Sequence, residues 1–235
     1  MKIHSSVPRA AIDGWQPTDV NYPVGSGSVG FHYHDVGEWL QLLEGTMTFF
    51  TLRDHPYAVA TGGALNIDPG EVHRVEIGPE GARYRMWLLV DMSGKTFQHK
   101  LEDEDVVFLK KNLDLPESEN RWDQRGPEAT VVGNADAEVL DNFTSAELVF
   151  RNAKGEYLGK KAYLKRPPAP VTRIPSDTVC ILYKDTQHLL LSTVVQTKSF
   201  ATGAREFYSN TRFFVKEDGL WKCRVWLNLP EPVSS

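Results

Sequence analysis

The sequence predicts a mainly β protein of two domains, a barrel or sandwich of short strands followed by an α+β unit. Three observations carry this. The length, 235 residues, suits two domains or one large β domain. Up to about residue 90 the chain reads as short strand-like runs broken by Gly, Pro and Asp. After a charged, Pro- and Gly-containing stretch the pattern restarts with helix first and long strands afterwards, an α+β order.

The first domain, expected over 1–115, contains the runs GSVGFHYH, EWLQLLEG, TMTFFTLRD, GALNIDPGE, VHRVEIGPEG and ARYRMWLLV. LEDEDVVFLKKNLDL follows, with Val106, Phe108, Leu109 and Leu113 set among charges, the pattern of an amphipathic helix that caps the barrel. Residues 116–127 mix Pro, Gly and charge without periodicity and read as a linker. In the second domain, 128–235, a helix ends near Asn142 and Phe143, then come the strand AELVFRN, a turn at Gly155 and a short helix KKAYLKR that stops before Pro167 and Pro168. Four long strands complete it: DTVCILYKD, HLLLSTVVQTKSF, REFYSNTRFFVKED and LWKCRVWLNL.

Composition is that of an ordinary folded protein, 41% hydrophobic and 24% charged. Net charge is -5, and Lys and Arg are scattered, so the basic stripe of a nucleic-acid binder is missing. No run approaches the ~18 apolar residues of a membrane span, and MKIHSSVPRAAIDGW has no apolar signal core. A cytoplasmic protein without nucleic-acid or membrane partners is expected. Cys180 and Cys223 fall in predicted strands and read as small buried hydrophobes rather than a disulfide.

GFHYHDVGEWLQLLEG carries the chemistry. His32 and His34 share one face of a strand, and Glu38 follows a bend at Gly37. Asp68, Pro69 and Gly70 turn the chain and deliver His73 on another strand. Imidazoles with one carboxylate suit a divalent transition metal, one of Fe, Mn, Ni or Zn, better than Ca or Mg. Residues sharing the parity of the ligands, Leu40, Leu42, Val75 and Ile77, are expected to line the substrate cavity, whereas Tyr33, Trp39 and Arg74 face away. On ARYRMWLLV either Arg85 and Trp87 or Tyr84 and Met86 face inward, and an inward Arg85 would favour a carboxylate substrate.

These motifs resemble the cupin superfamily over residues 20–92. His32, His34, Glu38 and Gly45 match its first motif, and Gly62, Gly70 and His73 match its second, with Asp68 at the usual Pro position. Two positions depart: Ser26, between Gly25 and Gly27, replaces a Gly, and Ile77 replaces an Asn. Neither position supplies a metal ligand. The resemblance implies a jelly-roll barrel with those four residues on the metal and Glu38 also available as a base. Residues 121–229 resemble the NTF2-like superfamily in its SnoaL-like branch, through Leu148–Asn152, Lys160 and Lys161, and the hairpin with Asp218, Gly219, Trp221 and Trp226. That implies a cone between helices and a curved sheet, and a homodimer.

In the second domain alternation groups Tyr208, Asn210 and Arg212 on one strand, and Lys222, Arg224, Trp226 and Asn228 on the last. If these faces line the cone, Tyr208, Arg212 and Arg224 form an anion pocket. The alternative, taken as the leading expectation, places them outside and makes Phe207, Phe213, Trp221, Val225 and Leu227 the core. For the whole chain the leading reading is a metal-dependent enzyme acting on a small organic molecule, of dioxygenase, isomerase or lyase type. A non-catalytic small-molecule sensor and cyclase- or dehydratase-type chemistry in the second domain are the alternatives.

Overall fold

The structure, a computed structural model, describes residues 1–88, 98–118, 132–165, 171–199 and 203–230. Most of the expected linker lies outside the described residues. The chain divides into two compact units, Met1–Lys110 with Asp177–Cys180, and Lys111–Ser176 with Ile181–Ser235. Both are dominated by strands, as the sequence implied.

The first unit holds β1 (Lys2–His4), α1 (Arg9–Ile12), β2 (Pro17–Tyr22), β3 (Ser28–His34), β4 (Glu38–Phe50), β5 (Pro56–Val59), β6 (Ala64–Ile67), β7 (His73–Leu88) and β8 (Gln98–Lys100). Their order is β1-β6-β4-β7-β3-β8, with β2 also on β7 and β5 on β4. Strand β7 is long enough to pair with β4 along one edge and with β3 and then β2 along the other.

Strand β4 obeys a period of two only in pieces. Leu40 and Leu42 point inward, register shifts follow between Leu42 and Glu44 and between Gly45 and Met47, and beyond them Met47 and Phe49 point inward. Gly45 makes the second shift possible. Its φ is +80°, and a Cβ there would stand 2.0 Å from the Gly81 carbonyl oxygen on β7. Leu40, Leu42, Met47, Phe49, Leu65, Ile67, Val75, Ile77, Tyr84 and Met86 belong to one core.

Trp39 and Trp87 lie on the opposite side of the sheet, packed with Ala64 and covered by Val7, Ala11 and Ile12 from the N-terminal segment. Tyr33 stacks on His99, and Arg74 lies 3.8 Å above the Phe50 ring, so all three residues expected to face away from the ligands do so. Helix α2 (Asp103–Ser118) starts with Asp103, Glu104 and Asp105, which suit the positive end of its dipole. Leu109 is buried, Val106 and Phe108 are half-buried, the expected Leu113 lies outside the side chains described, and Lys110 pairs with Asp54 at 3.0 Å.

The second unit contains α3 (Val132–Phe143), β9 (Thr144–Arg151), β10 (Tyr157–Gly159), α4 (Lys160–Lys165), β11 (Val171–Lys184), β12 (His188–Ser199), β13 (Arg205–Glu217) and β14 (Leu220–Pro230). Its sheet runs β10-β9-β14-β13-β12-β11; β10 with β9, β12 with β13 and β13 with β14 pair antiparallel, and β9 with β14 parallel. Phe143 of α3 packs edge-on against Phe214 and Trp226, and Tyr163 of α4 against Phe150 and Trp226.

The core of this unit differs from the expected one, whose Phe213, Trp221, Val225 and Leu227 are only half-buried. Phe207 is 48% exposed, whereas Asn210 and Arg212 are buried beside Phe214, Cys223 and Trp226. Two features misdirect the alternation. Arg224 is the extra residue of a bulge, since Phe213 opposes Val225 and Phe214 opposes Cys223, and this places Cys223 and Trp226 on one face. Arg212 is tolerated inside because its guanidinium stacks 3.9 Å above Trp226 and its Nε donates to Asn210 Oδ1 at 2.7 Å. Both cysteines are free, and burial pushes each thiol up to about 12, so neither presents a reactive thiolate.

Candidate metal centre

Backbone pairing brings the histidines together. His32 on β3 stands directly opposite His73 on β7, with ring centroids 4.3 Å apart. His34 lies two residues further along the same face, 5.2 Å from the His32 ring and 5.4 Å from that of His73. One donor atom from each of the three can be chosen so that all lie within 4.8 Å of one another. The turn before His73 is fastened to the ligand strand: Gly70, at φ +75°, donates its N–H to the His34 carbonyl at 2.7 Å.

Ring orientation follows from the neighbouring carbonyls. His32 Nδ1 is 2.8 Å from Gly30 O, and His73 Nδ1 is 2.8 Å from Glu71 O. A carbonyl oxygen only accepts, so both Nδ1 atoms carry the proton and Nε2 keeps the lone pair that a metal requires.

Glu38 opens β4 and is 3% exposed. Its Oε2 receives no hydrogen bond among the described residues and lies 3.0 Å from His34 Nδ1. A buried carboxylate oxygen without a donor calls for a cation. The donor set therefore fits a divalent transition metal: His32, His34 and His73 would supply imidazole nitrogen and Glu38 a carboxylate oxygen.

Burial holds His32 below the ordinary imidazole value despite its bond to Gly30, and holds His73 well below it, with the neighbouring His32 acting in the same direction. Both rings are thus neutral at pH 7 and bind metal without first losing a proton. For the metal-free protein this sets the sign of the pH dependence. The unfolded chain takes up protons first as pH falls through the ordinary imidazole value of 6.5, so the contribution of neutral burial is complete above 6.5 and is lost as pH falls toward the folded-state values. Thermal melts of metal-free protein should show the melting temperature dropping between about pH 7 and 5; a flat profile would contradict neutral burial.

These residues border a cavity of about 220 Å³. Val20, Val29, Leu40, Met47, Phe49, Val75 and Met86 supply apolar wall, and Tyr22, Tyr84 and Gln98 are its polar, uncharged members. Of the expected lining, Leu40 and Val75 reach the cavity; Leu42 and Ile77 pack in the surrounding core. Arg85 does not reach it. It faces outward and clasps Asp19 through Nε at 2.6 Å and Nη2 at 2.9 Å, and Tyr84 and Met86 take the inward positions. Tyr22 and Tyr84 stack with ring centroids 6.0 Å apart, and desolvation pushes the Tyr84 phenol far above its ordinary value.

Sequence reasoning passed over Tyr22, Val20, Val29, Met47, Phe49 and Gln98. The alternation PTDVNY, with only Val20 and Tyr22 directed inward, was the available signal for β2. In the second unit the expected anion-pocket residues Tyr208, Arg212 and Arg224 have these contacts: Tyr208 donates to Glu206, Arg224 pairs with Glu147, and Arg212 lies on the covered face.

No curated protein matches the chain. Among solved structures, a DUF861 family protein from Thermotoga maritima is 21% identical, covering 37% of this chain and 98% of its own, with a TM-score of 0.30. A DMSP lyase from Ruegeria pomeroyi is 19% identical, covering 35% and 42%, at a TM-score of 0.31. An NTF2-like protein from Cytophaga hutchinsonii is 18% identical, covering 56% and 100%, at 0.38. The family comparison is confined to the first unit: residues 18–91 match the Cupin domain, a span that contains His32, His34, Glu38 and His73.

Proposed function

We propose that the protein is a metal-dependent cupin enzyme that acts on a small organic molecule inside the first unit. The observation that carries this is the convergence of three buried histidines and an undonated carboxylate oxygen on a cavity whose remaining wall is mainly apolar among the described residues. When bound, a divalent ion there supplies Lewis-acid polarisation of a substrate oxygen. The chain's own residues do the rest. Apolar side chains shape the cavity, Tyr22 and Tyr84 offer hydroxyls to a substrate oxygen, and the Glu38 carboxylate oxygen not held by the ion is the group available to take a proton.

Dioxygenase, isomerase and lyase chemistry all suit such a site, and the second unit is read as a homodimerising module. One preparation tests these statements. Protein purified from cells should contain close to one equivalent of Fe, Mn, Ni or Zn by mass spectrometry, and light scattering should give twice the 26.5 kDa chain mass. Oxygen consumption by Fe(II)-loaded protein with β-dicarbonyl or catechol substrates identifies a dioxygenase; turnover without oxygen uptake identifies an isomerase or lyase. Protein that takes up no metal on titration would sink the proposal, and a monomeric mass would remove the dimer.

A further inference from the structure

With a divalent ion held by neutral imidazoles and the Glu38 carboxylate, the metal site would carry one net positive charge. Among the described residues, the rest of the cavity lining is uncharged. The arginines of the adjoining strand turn outward, Arg83 to Glu44 and Arg85 to Asp19. Charge left uncompensated in such surroundings is costly. A monoanion cancels it, whereas a dianion leaves one negative charge and a neutral molecule leaves the positive one. Size narrows the class further, since a cavity of about 220 Å³ suits a small molecule.

Tyr22 and Tyr84 add direction. Their rings stack with centroids 6.0 Å apart, and each carries one O–H donor. Both residues border the cavity, and no other hydroxyl does among the described residues.

We propose that the cavity is built for a small monoanionic carboxylate, balanced by the charge of the metal site and accepting a hydrogen bond from Tyr22 or Tyr84. This specifies the substrate class of the site proposed above and rests on metal binding there. Tyr22 and Tyr84 are then specificity-determining residues, and Arg85, the sequence-based candidate for carboxylate recognition, has no part in it.

The test uses the full chain loaded with Co(II), whose visible absorption reports the ion in its site independently of any reaction. Three probes differ by one group each: lactate; tartronate, in which a second carboxylate replaces the lactate methyl; and propane-1,2-diol, in which an alcohol replaces the lactate carboxylate. Lactate should perturb the Co(II) spectrum and bind at least about tenfold more tightly than either of the others. Tyr22→Phe or Tyr84→Phe should weaken lactate about three- to tenfold with unchanged Co(II) uptake, and Arg85→Ala should leave lactate binding unaltered. Tartronate or propane-1,2-diol binding as tightly as lactate, or both Phe variants binding lactate like the parent, overturns the assignment while leaving the metal site standing. Failure to take up Co(II) overturns the metal site and the assignment together.

Discussion

His73→Ala is expected to abolish metal retention, with affinity falling by more than about 100-fold. His73 is almost wholly buried, stands opposite His32 across the β3–β7 ladder and has its proton fixed on Nδ1 by Glu71 O, so no neighbouring side chain can replace its Nε2. Orienting partners of metal ligands typically contribute 10- to 100-fold, and loss of a ligand itself exceeds that. Glu38→Gln removes the charge but keeps the shape, and it should weaken binding about 10- to 100-fold if its oxygen is a ligand or orients His34. Competition with a chelator of known affinity measures both. A His73→Ala protein that holds metal as the parent does would show that the three-histidine cluster is not the site.

Gly45→Ala is expected to destabilise the first unit by more than about 3 kcal/mol, through a backbone collision rather than a lost contact. A Cβ would meet the Gly81 carbonyl oxygen at 2.0 Å and the Ala82 Cα at 2.9 Å, so β4 and β7 would have to separate. Gly14→Ala is the control. Its φ is +81°, but nothing lies within 4 Å of the added Cβ, so it isolates the cost of left-handed backbone, about 1 kcal/mol. At roughly 2–4 °C per kcal/mol for a chain of this size, Gly45→Ala should lower the melting temperature by about 6–12 °C and Gly14→Ala by far less. Equal melting of the two variants would remove the collision as the cause.

The ligand set was legible in the sequence because it depends on the shortest-range rule available. His32 and His34 share a face at a separation of two, and the turn at Asp68–Gly70 announces His73. Leu40 and Val75 followed from the same parity. The rest of the cavity depends on where that parity breaks. Between Ile77 and Ala82 the chain runs through Gly78 and Gly81, so the face of His73 cannot be carried forward to Tyr84, although the alternation of Arg83 and Arg85 with Tyr84 and Met86 held the answer.

In the second unit the failure was of another kind. Hydropathy favoured Phe207 and Val225 as core over Arg212, but a guanidinium spread on Trp226 and bonded to Asn210 can be buried. No rule of alternation anticipates a charged residue inside. The bulge at Arg224 further separated Trp226 from the neighbours with which counting had grouped it.

The two shifts in β4 give that strand something like a reading frame. Upstream of Leu42 the even positions face the cavity; from Met47 on, the odd ones do. Side chains at Leu40, Met47 or Phe49 can therefore be exchanged one at a time to reshape the cavity. Deleting a single residue between Leu42 and Met47 would instead turn Met47 and Phe49 out of it together, leaving the ligands at one end of the site without the wall at the other.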